Sequence, residues 1–233
     1  MFNLRLNIVH SEARRAAEPH RYGGVVSESN GKSIYGDADA RRRRTLDAAA
    51  ALLDEGGYGA LTIRSVAQRS GTSTGLIYQY FADKQEIFIA LLNESQIESA
   101  AFVATLPRDS GVAALIAAAI PNSVRQWARV GRMTATWRDI EGAARSERES
   151  VRELRVTAEQ YNEELHRAIL EAAEAEGRTL FNDPALIRFV LSGLMGVSDT
   201  IVNNWAAPLD PSELIAFSAA AITRGITAPP AAD

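Results

Sequence analysis

The sequence predicts an all-α protein, and three observations support this prediction. From Asp39 onward, apolar residues recur at helical spacing along nearly the whole chain. Glycines and prolines lie between these runs, where helices begin and end. No alternating pattern of useful length indicates a strand in this part of the chain. With 233 residues, of which 46% are hydrophobic, the chain can bury one large core or two small ones.

Residues 1–38 are predicted to be a mostly disordered extension. They mix Gly, Ser, Asn and scattered charges with little helical periodicity. The alternation in FNLRLNI could form a short strand, but this segment has no obvious strand to pair with.

The composition argues against several classes of protein. There is no cysteine, so disulfides, thiolate nucleophiles and cysteine metal sites are excluded. The three histidines, His10, His20 and His166, lie far apart, and no metal site is predicted. Neither a nucleophile-base pair nor a phosphate-binding loop occurs at a useful spacing, so we assign no catalytic residue and no cofactor.

The apolar runs indicate no membrane span. The longest of them, such as AALIAAAI at residues 113–120, fall short of the roughly 18 residues that a span requires. The N-terminus has no uninterrupted apolar stretch before a small-residue cleavage site, so it does not resemble a secretory signal. We therefore expect a soluble, cytoplasmic protein with no membrane partner.

Two helices are predicted first along the chain. The first ends at Gly56 and Gly57 and is indicated by apolar residues at helical spacing, namely Leu46, Ala49, Ala50 and Leu53. The second is short. Thr62 suits its N-cap, and Gly71 lies just past its end, where a left-handed residue is needed. Its apolar face consists of Ile63, Val66 and Ala67.

A third predicted helix follows within SGTSTGLIYQYFADK. Ser73 or Thr74 caps it, it extends through Phe81, and Ile77 and Phe81 form its inward face at i, i+4. Asp83, followed three residues later by Glu86, predicts the cap of a fourth helix. Two short helices joined by a tight turn with a central glycine are typical of a helix-turn-helix. The opposite, outward face of the third helix then carries Thr74, Tyr78 and Gln79.

The charge distribution divides the chain into two parts. The net charge of -4 and a sequence pI of about 5.5 argue by themselves against nucleic-acid binding. Residues 41–90, however, hold seven basic and five acidic residues, a local balance of +2, whereas residues 91–233 hold 13 and 19, a balance of -6. Only the smaller part is therefore suited to a polyanion.

Residues 41–92, RRRRTLDAAAALLDEGGYGALTIRSVAQRSGTSTGLIYQYFADKQEIFIALL, resemble the N-terminal DNA-binding domain of TetR-family transcriptional regulators. The matching features are the GG-Y-G-LT entry, the I-x-x-V-A face, the G-T-S-x-G turn, I-Y-x-Y-F and D-K-x-E-I. Ser70 and Gln85 depart from the usual alanine and glutamate. The resemblance implies a helix-turn-helix domain at residues 39–86, a helical ligand-binding and dimerisation domain at residues 87–227 and a tail at residues 228–233.

Residue types and the resemblance together give a set of DNA contacts. The resemblance implies that Thr62, Tyr78 and Lys84 contact phosphates and that Arg64 lies where the family makes groove contacts. Gln79 offers a paired donor and acceptor that suit an adenine edge, and arginines before the first helix could reach the backbone or the minor groove. The complete predicted set is Arg42, Arg44, Thr62, Arg64, Thr72, Ser73, Thr74, Gly75, Tyr78, Gln79, Tyr80 and Lys84.

Two of these assignments have plain structural alternatives. The arginines at residues 41–44 would also suit a solvated helix start. Tyr80 could pack beside Phe81 in the core instead of contacting DNA.

Beyond residue 100, further helices are predicted at about 111–130, 132–144, 147–176, 184–205 and 211–226. The resemblance implies a small-molecule effector in this part, and candidate lining residues are Trp127, Met133, Trp137, Tyr161 and Phe189. Ordinary core packing is the alternative for each of them. The aromatic and aliphatic composition favours a hydrophobic effector.

The helix at 184–205 is apolar nearly all round, which predicts burial nearly all round. In a domain this small, a second chain would have to cover part of it together with the following helix. The predicted dimer interface is Ile187, Val190, Leu194, Val197, Ile201, Leu214, Phe217 and Ala221. The resemblance likewise implies a homodimer built on the last two helices.

The sequence thus predicts a homodimeric, ligand-responsive transcriptional regulator, most simply a repressor, that binds a palindromic double-stranded operator. Two alternatives remain from the sequence. One is a DNA-binding dimer without a small ligand, and the other is an all-helical enzyme.

Overall fold

The computed structural model describes residues 34–131 and 148–228, and no strand forms among them. The described helices are α1 (Ile34–Ala60), α2 (Ile63–Ser70), α3 (Thr74–Ile77), α4 (Lys84–Thr105), α5 (Gly111–Gln126), α6 (Glu149–Ala175), α7 (Leu186–Val202) and α8 (Pro211–Ile226). A single π-helical turn, Trp127–Gly131, continues α5. The predicted all-α class is confirmed.

Helix α1 begins earlier than the sequence predicted. It starts at Ile34 rather than at Asp39, so the extension predicted for residues 1–38 overlaps its first turn. The predicted end at Gly56 and Gly57 corresponds to a break, because Gly57 has φ 64° and ψ -166°. Glycine adopts this left-handed φ without the clash that a Cβ would cause. One further turn reaches Ala60 and directs the chain towards α2.

Helix α4 joins the two parts of the molecule. Its first half packs with α1, α2 and α3 in a first core that includes Leu46, Val66, Ile77 and Phe88. Its far end contributes Val103 to a second core formed by α5, α6, α7 and α8. The domain boundary predicted between residues 86 and 87 therefore lies inside a continuous helix, because the apolar side of α4 is shared by both cores.

Within the described ranges, α4 is the one helix long and apolar enough to cross a membrane by length and composition alone. A core helix passes the same test. Ile87, Phe88, Leu91 and Leu92 are almost completely buried against the rest of the chain. We therefore assign α4 to the protein core.

The second core is a helical bundle. Helix α5 lies against α6, α7 and α8 and buries Leu115, Ile116 and Ile120 among them. Pro121 lies inside α5, and it has no backbone N–H to donate in the helical ladder. The π-helical turn after α5 contacts both α1 and α7, so this turn lies where the two cores meet.

Candidate nucleic-acid interface and effector cavity

Helix α2 is fixed at both ends by its own residues. The Thr62 side chain accepts a hydrogen bond from the Ser65 N–H at 3.0 Å, and the Ser65 hydroxyl in turn accepts one from the Thr62 N–H at 3.0 Å. At the other end Gly71 adopts φ 66°, and the Thr72 N–H donates to the Ala67 carbonyl at 3.0 Å. The predicted cap and the predicted left-handed glycine are both confirmed. Together they set the angle at which the chain enters α3.

Helix α3 is shorter than predicted. Ser73 is its N-cap and accepts from the Leu76 N–H at 3.2 Å, but the regular helix ends at Ile77 instead of Phe81. The next residues continue as turns, because the Gln79 and Tyr80 N–H groups donate to carbonyls three residues back, in the tighter pattern of a 3₁₀ helix. The predicted inward face is confirmed, since Ile77 is fully buried and Phe81 nearly so.

The outward face of α3 carries the predicted polar side chains. Tyr78 is 58% exposed although it is a large aromatic residue, and Gln79 beside it is exposed as well. Ser73, Thr74 and Gly75 are exposed at the start of the helix. A Cβ built at Gly75 would have no neighbour closer than 3.9 Å, so none of the described residues packs closely on this end.

The remaining residues that were predicted to contact DNA differ in how exposed their side chains are. Thr62 and Arg64 are exposed, whereas Thr72 is half-buried. Tyr80 is also half-buried and packs against the first core, and its hydroxyl accepts from Arg41 Nε at 3.4 Å. The Lys84 ammonium lies 4.2 Å from the centroid of the Tyr58 ring. A cation held over an aromatic face keeps its charge near the start of α4.

The arginines of α1 have different surroundings. Arg42 and Arg44 are exposed, and the Arg42 guanidinium lies 5.4 Å from the centroid of the Phe81 ring. Arg43 is bound to two carboxylates, Asp47 and Glu94, at 2.8 Å each. Its hydrogen bond to Glu94, more than any other contact, raises the pKa of the Arg43 guanidinium.

A cavity of about 360 Å³ lies between α4, α5, α6 and α7. Trp127 and Tyr161 line it, as the sequence predicted for both residues. The Trp127 indole is held by a hydrogen bond from Nε1 to Asp199 Oδ1 at 2.8 Å, and its ring packs on the Cα of Gly131, where a Cβ would lie 2.3 Å from the ring. Met133 and Trp137 lie outside the described residues.

Phe189 was wrongly predicted to line this cavity. It is 50% exposed on the outer side of α7, where it borders a separate groove with Phe181, Leu186 and Gly225. Helical spacing explains the error, because Val190, the next residue of α7, is the one that enters the second core.

The predicted dimer interface also needs correction. Val190 and Leu194 are buried in the core of their own chain, so they cannot face a partner. Phe217 on α8 is 68% exposed, whereas the other five predicted residues are half-buried, namely Ile187, Val197, Ile201, Leu214 and Ala221. The exposed apolar side chains of α7 are instead Phe189 and Met195.

Sequence reasoning missed the polar half of the cavity wall. Ser95 and Ser99 on α4, Gln126 on α5 and Asn162 on α6 line the cavity. Ser95 and Ser99 lie four residues apart on a mostly apolar helix, which is a signal that could have identified them. Among the described residues, no group of three His, Asp or Glu side chains is suited to hold a metal ion.

The chain resembles known proteins over the segment that forms this interface. Residues 46–91 match the family described as bacterial regulatory proteins, tetR family. The HTH-type transcriptional regulator HbdR of Aromatoleum sp. (strain CIB) is 42% identical over 73 residues, which are 30% of this chain and 32% of HbdR. The HTH-type transcriptional repressor KstR of Rhodococcus jostii (strain RHA1) is 42% identical over 52 residues, which are 22% of this chain and 24% of KstR. The similarity thus spans about a quarter to a third of these relatives.

One solved structure extends the likeness to most of the chain. A tetR-family transcriptional regulator from Streptomyces coelicolor superposes with a TM-score of 0.58 at 17% identity, over 80% of each chain. At this identity the likeness concerns the fold alone. Capped α2, the glycine turn and the outward face of α3 define a helix-turn-helix DNA-binding protein. Residues 46–91 therefore form a helix-turn-helix domain of the TetR type, and the relatives matched over this segment are named as regulators of transcription.

Proposed function

We propose that the protein is a transcriptional repressor that binds a roughly palindromic operator as a homodimer and releases it when a small molecule occupies the cavity. The observation that carries the proposal is the outward face of α3, where exposed Tyr78 and Gln79 are backed by fully buried Ile77. A large exposed aromatic residue on a rigid, capped turn is suited to binding a partner. DNA is the partner that a helix-turn-helix fits, and we propose a cytoplasmic location on the same ground.

Each contact has a chemical role in this proposal. Gln79 donates to and accepts from an adenine edge, which specifies sequence. Tyr78 and Lys84 bind phosphate oxygens, which position the domain without specifying sequence. Thr74 and Gly75 at the start of α3 are small and exposed, so the backbone can approach a phosphate there. Exposed Arg42 and Arg44 extend the contact along the backbone.

Exposed apolar side chains support a dimer of the second domain. Phe189 and Met195 on α7 and Phe217 on α8 are 50%, 39% and 68% exposed. A Cβ at Gly225 on α8 would lie 3.1 Å from the Phe189 ring, so these two helices already approach closely at that point. In a dimer in which a second copy covers this face, a twofold axis would relate the two helix-turn-helix domains. A palindromic operator follows from that symmetry.

Contacts across the domain boundary support control by the cavity. The π-helical turn carries Trp127 in the cavity wall, and two residues later Arg129 forms a bidentate ion pair with Asp54 of α1 at 3.1 Å and 3.2 Å. Arg148 binds Asp83, the N-cap of α4, at 3.0 Å. A ligand that shifts the turn therefore has a direct physical connection to the DNA-binding domain.

The cavity favours a ligand-responsive repressor over a DNA-binding dimer without a ligand. A volume of about 360 Å³ lies at the low end of the range that small-molecule sites occupy. Ligand control also has to be reciprocal: if the effector weakens operator binding by some factor, operator DNA must weaken effector binding by the same factor. About 1–3 kcal/mol of coupling is sufficient.

The first test is capture of genomic DNA. The purified protein is mixed at moderate salt with sheared DNA from its own genome, and the bound fragments are sequenced. We expect one symmetric site to be enriched, and we expect that enrichment to disappear with Tyr78→Ala/Gln79→Ala protein. Because both side chains are exposed, the variant should unfold at the same denaturant concentration as the wild type.

Two results would contradict the proposal. One is absence of enrichment by protein that is folded and dimeric. The other is equal enrichment by the variant, because the outward face of α3 would then not be the contact surface. Turnover of a candidate ligand by the purified protein would instead favour an enzyme.

A further inference from the structure

The cavity has a polar side and an apolar side. Ser95 and Ser99 lie on one face of α4, and Ser123 and Gln126 on α5 add two more polar groups to the wall. Helix α7 contributes three apolar side chains to the wall, Leu191, Leu194 and Met195. A ligand that fits this space therefore needs hydrogen-bonding groups on one side and an apolar body on the other.

Tyr161 supplies a hydrogen-bonding group that the other described residues do not use. Its side chain lines the cavity, and among the described residues its hydroxyl has no hydrogen-bond partner. Burial raises the pKa of the Tyr161 hydroxyl to about 12, so it stays neutral and able to donate at every physiological pH. Tyr161 is half-buried and its hydroxyl is not sealed off from the cavity, so a ligand group that enters can form a hydrogen bond with it.

Ser95 and Gln126 form a second polar group at the wall. The Ser95 hydroxyl donates to Gln126 Oε1 at 2.6 Å, and Gln126 Nε2 donates to Glu98 Oε2 at 3.5 Å. Both residues also border a polar cleft next to Arg129 and Asp54, so this pair separates the cavity from the domain boundary. Its serine oxygen and amide oxygen each keep a lone pair that can accept from a ligand.

The formal charge in the described part of the wall is confined to its edge. Arg188 is the one charged residue among the described lining residues. Its guanidinium lies 3.6 Å from the Glu159 carboxylate, and both side chains are more than half exposed. An anion bound at Arg188 would compete with this carboxylate and with water, so the described part of the wall offers an anion no unpaired cation.

Resting on the proposed function, we propose that the effector is an uncharged amphipathic molecule that presents a hydroxyl or amide group to Tyr161 and to the Ser95–Gln126 pair. Its apolar part packs on Leu191, Leu194 and Met195. The aliphatic side of the wall agrees with the hydrophobic effector predicted from composition, and the polar side adds the requirement for a neutral hydrogen-bonding group. A fatty carboxylate or an amine of the same length would bind less well, because burial of an ion requires a partner of opposite charge.

The test uses three probes with the same chain and different head groups: 1-octanol, octanoate and octylammonium. Their binding to the full-length protein at neutral pH is measured by calorimetry. We expect 1-octanol to bind at least about tenfold more tightly than either ion. Tyr161→Phe should weaken 1-octanol binding about five- to tenfold, the size of one hydrogen bond. Tyr80→Phe, the same change outside the cavity, should leave binding unchanged.

A second variant guards against a purely structural effect. Ser95→Ala/Gln126→Leu removes both partners of one hydrogen bond and leaves neither unsatisfied, so the fold should tolerate it. It should reduce the preference for 1-octanol over the ions. Equal or tighter binding of octanoate, absence of 1-octanol binding at millimolar concentration, or unchanged binding by Tyr161→Phe would each overturn the proposal.

The same probes separate this proposal from the repressor function. If 1-octanol binds through Tyr161 but leaves operator affinity unchanged, the ligand class is correct and control of DNA binding by the cavity is wrong. If octanoate alone releases the operator, control by the cavity is correct and the uncharged ligand class is wrong.

Discussion

The DNA-binding domain and the cavity domain both consist of helices packed around buried aliphatic residues, yet they differ in how their functional residues come together. Most residues proposed to contact DNA lie within one short segment, from Thr62 to Lys84, and local hydrogen bonds set their orientation, such as the caps at Thr62 and Ser73. The cavity wall takes one or a few residues from each of four helices, from Leu92 to Met195. A short sequence can therefore specify a DNA-binding face, whereas a cavity is specified only by the packed fold.

The largest expected effect concerns the core beneath the DNA-binding face. Ile77→Ala removes a fully buried side chain, and we expect the free energy of unfolding to fall by about 2–5 kcal/mol. Denaturant unfolding monitored by circular dichroism gives the value. The matched control is Ile97→Ala on α4, where the side chain is 52% exposed and the expected change is below about 0.5 kcal/mol. Similar losses at the two positions would mean that burial of Ile77 does not anchor α3 in the first core.

An effect of intermediate size concerns the cavity at alkaline pH. Burial raises the pKa of Tyr161 from 10.0 to about 12, so between these values the unfolded chain loses this proton and the folded chain keeps it. Stability from this residue is therefore complete below pH 10 and is lost as the pH rises towards 12, by roughly 3 kcal/mol at most. Tyr161→Phe should lack this part of the alkaline decline when unfolding is measured across that range. An identical decline in both proteins would place Tyr161 in a solvated environment.

The smallest expected effect concerns the connection between the two regions. Asp54 and Arg129 are each almost half exposed, so solvent screens their ion pair strongly. A double-mutant cycle with Asp54→Asn and Arg129→Gln should give a coupling in stability of about 0.5 kcal/mol or less. The same variants should nevertheless change the factor by which a cavity ligand weakens operator binding. If that factor is unchanged, the signal passes through other contacts, such as Arg148 with Asp83.

Some elements could be predicted from sequence because they depend on neighbours along the chain. Thr62, Gly71 and Asp83 were assigned correctly as cap or turn residues, since a cap requires only a few consecutive residues. The end of α3 was placed too late, because the change from α-helical to 3₁₀ hydrogen bonding after Ile77 leaves little trace in the apolar pattern. The start of α1 was placed too late because residues before Asp39 lack periodicity.

Other features depend on which side of a helix meets which neighbour. Helix α7 is apolar nearly all round, so its sequence did not distinguish inward Val190 and Leu194 from outward Phe189 and Met195. Their orientation is decided by packing against α5 and α8, which the sequence pattern of α7 does not contain. Ser95 and Gln126 were missed for the same reason, since they meet only after α4 and α5 have packed.

The most direct test of the account is selection of binding sites from random duplex DNA by three proteins: wild type, Gln79→Ala and Lys84→Ala. We expect Gln79→Ala to lose preference at one base-pair position in each half-site, with other positions unchanged. Lys84→Ala should select the same sites as the wild type but bind all of them more weakly, by about the same factor. The slope of the logarithm of the binding constant against the logarithm of the salt concentration should also be smaller by about one unit. If Lys84→Ala changed the selected sequence and Gln79→Ala did not, the outward face of α3 would not be the surface that recognises DNA bases.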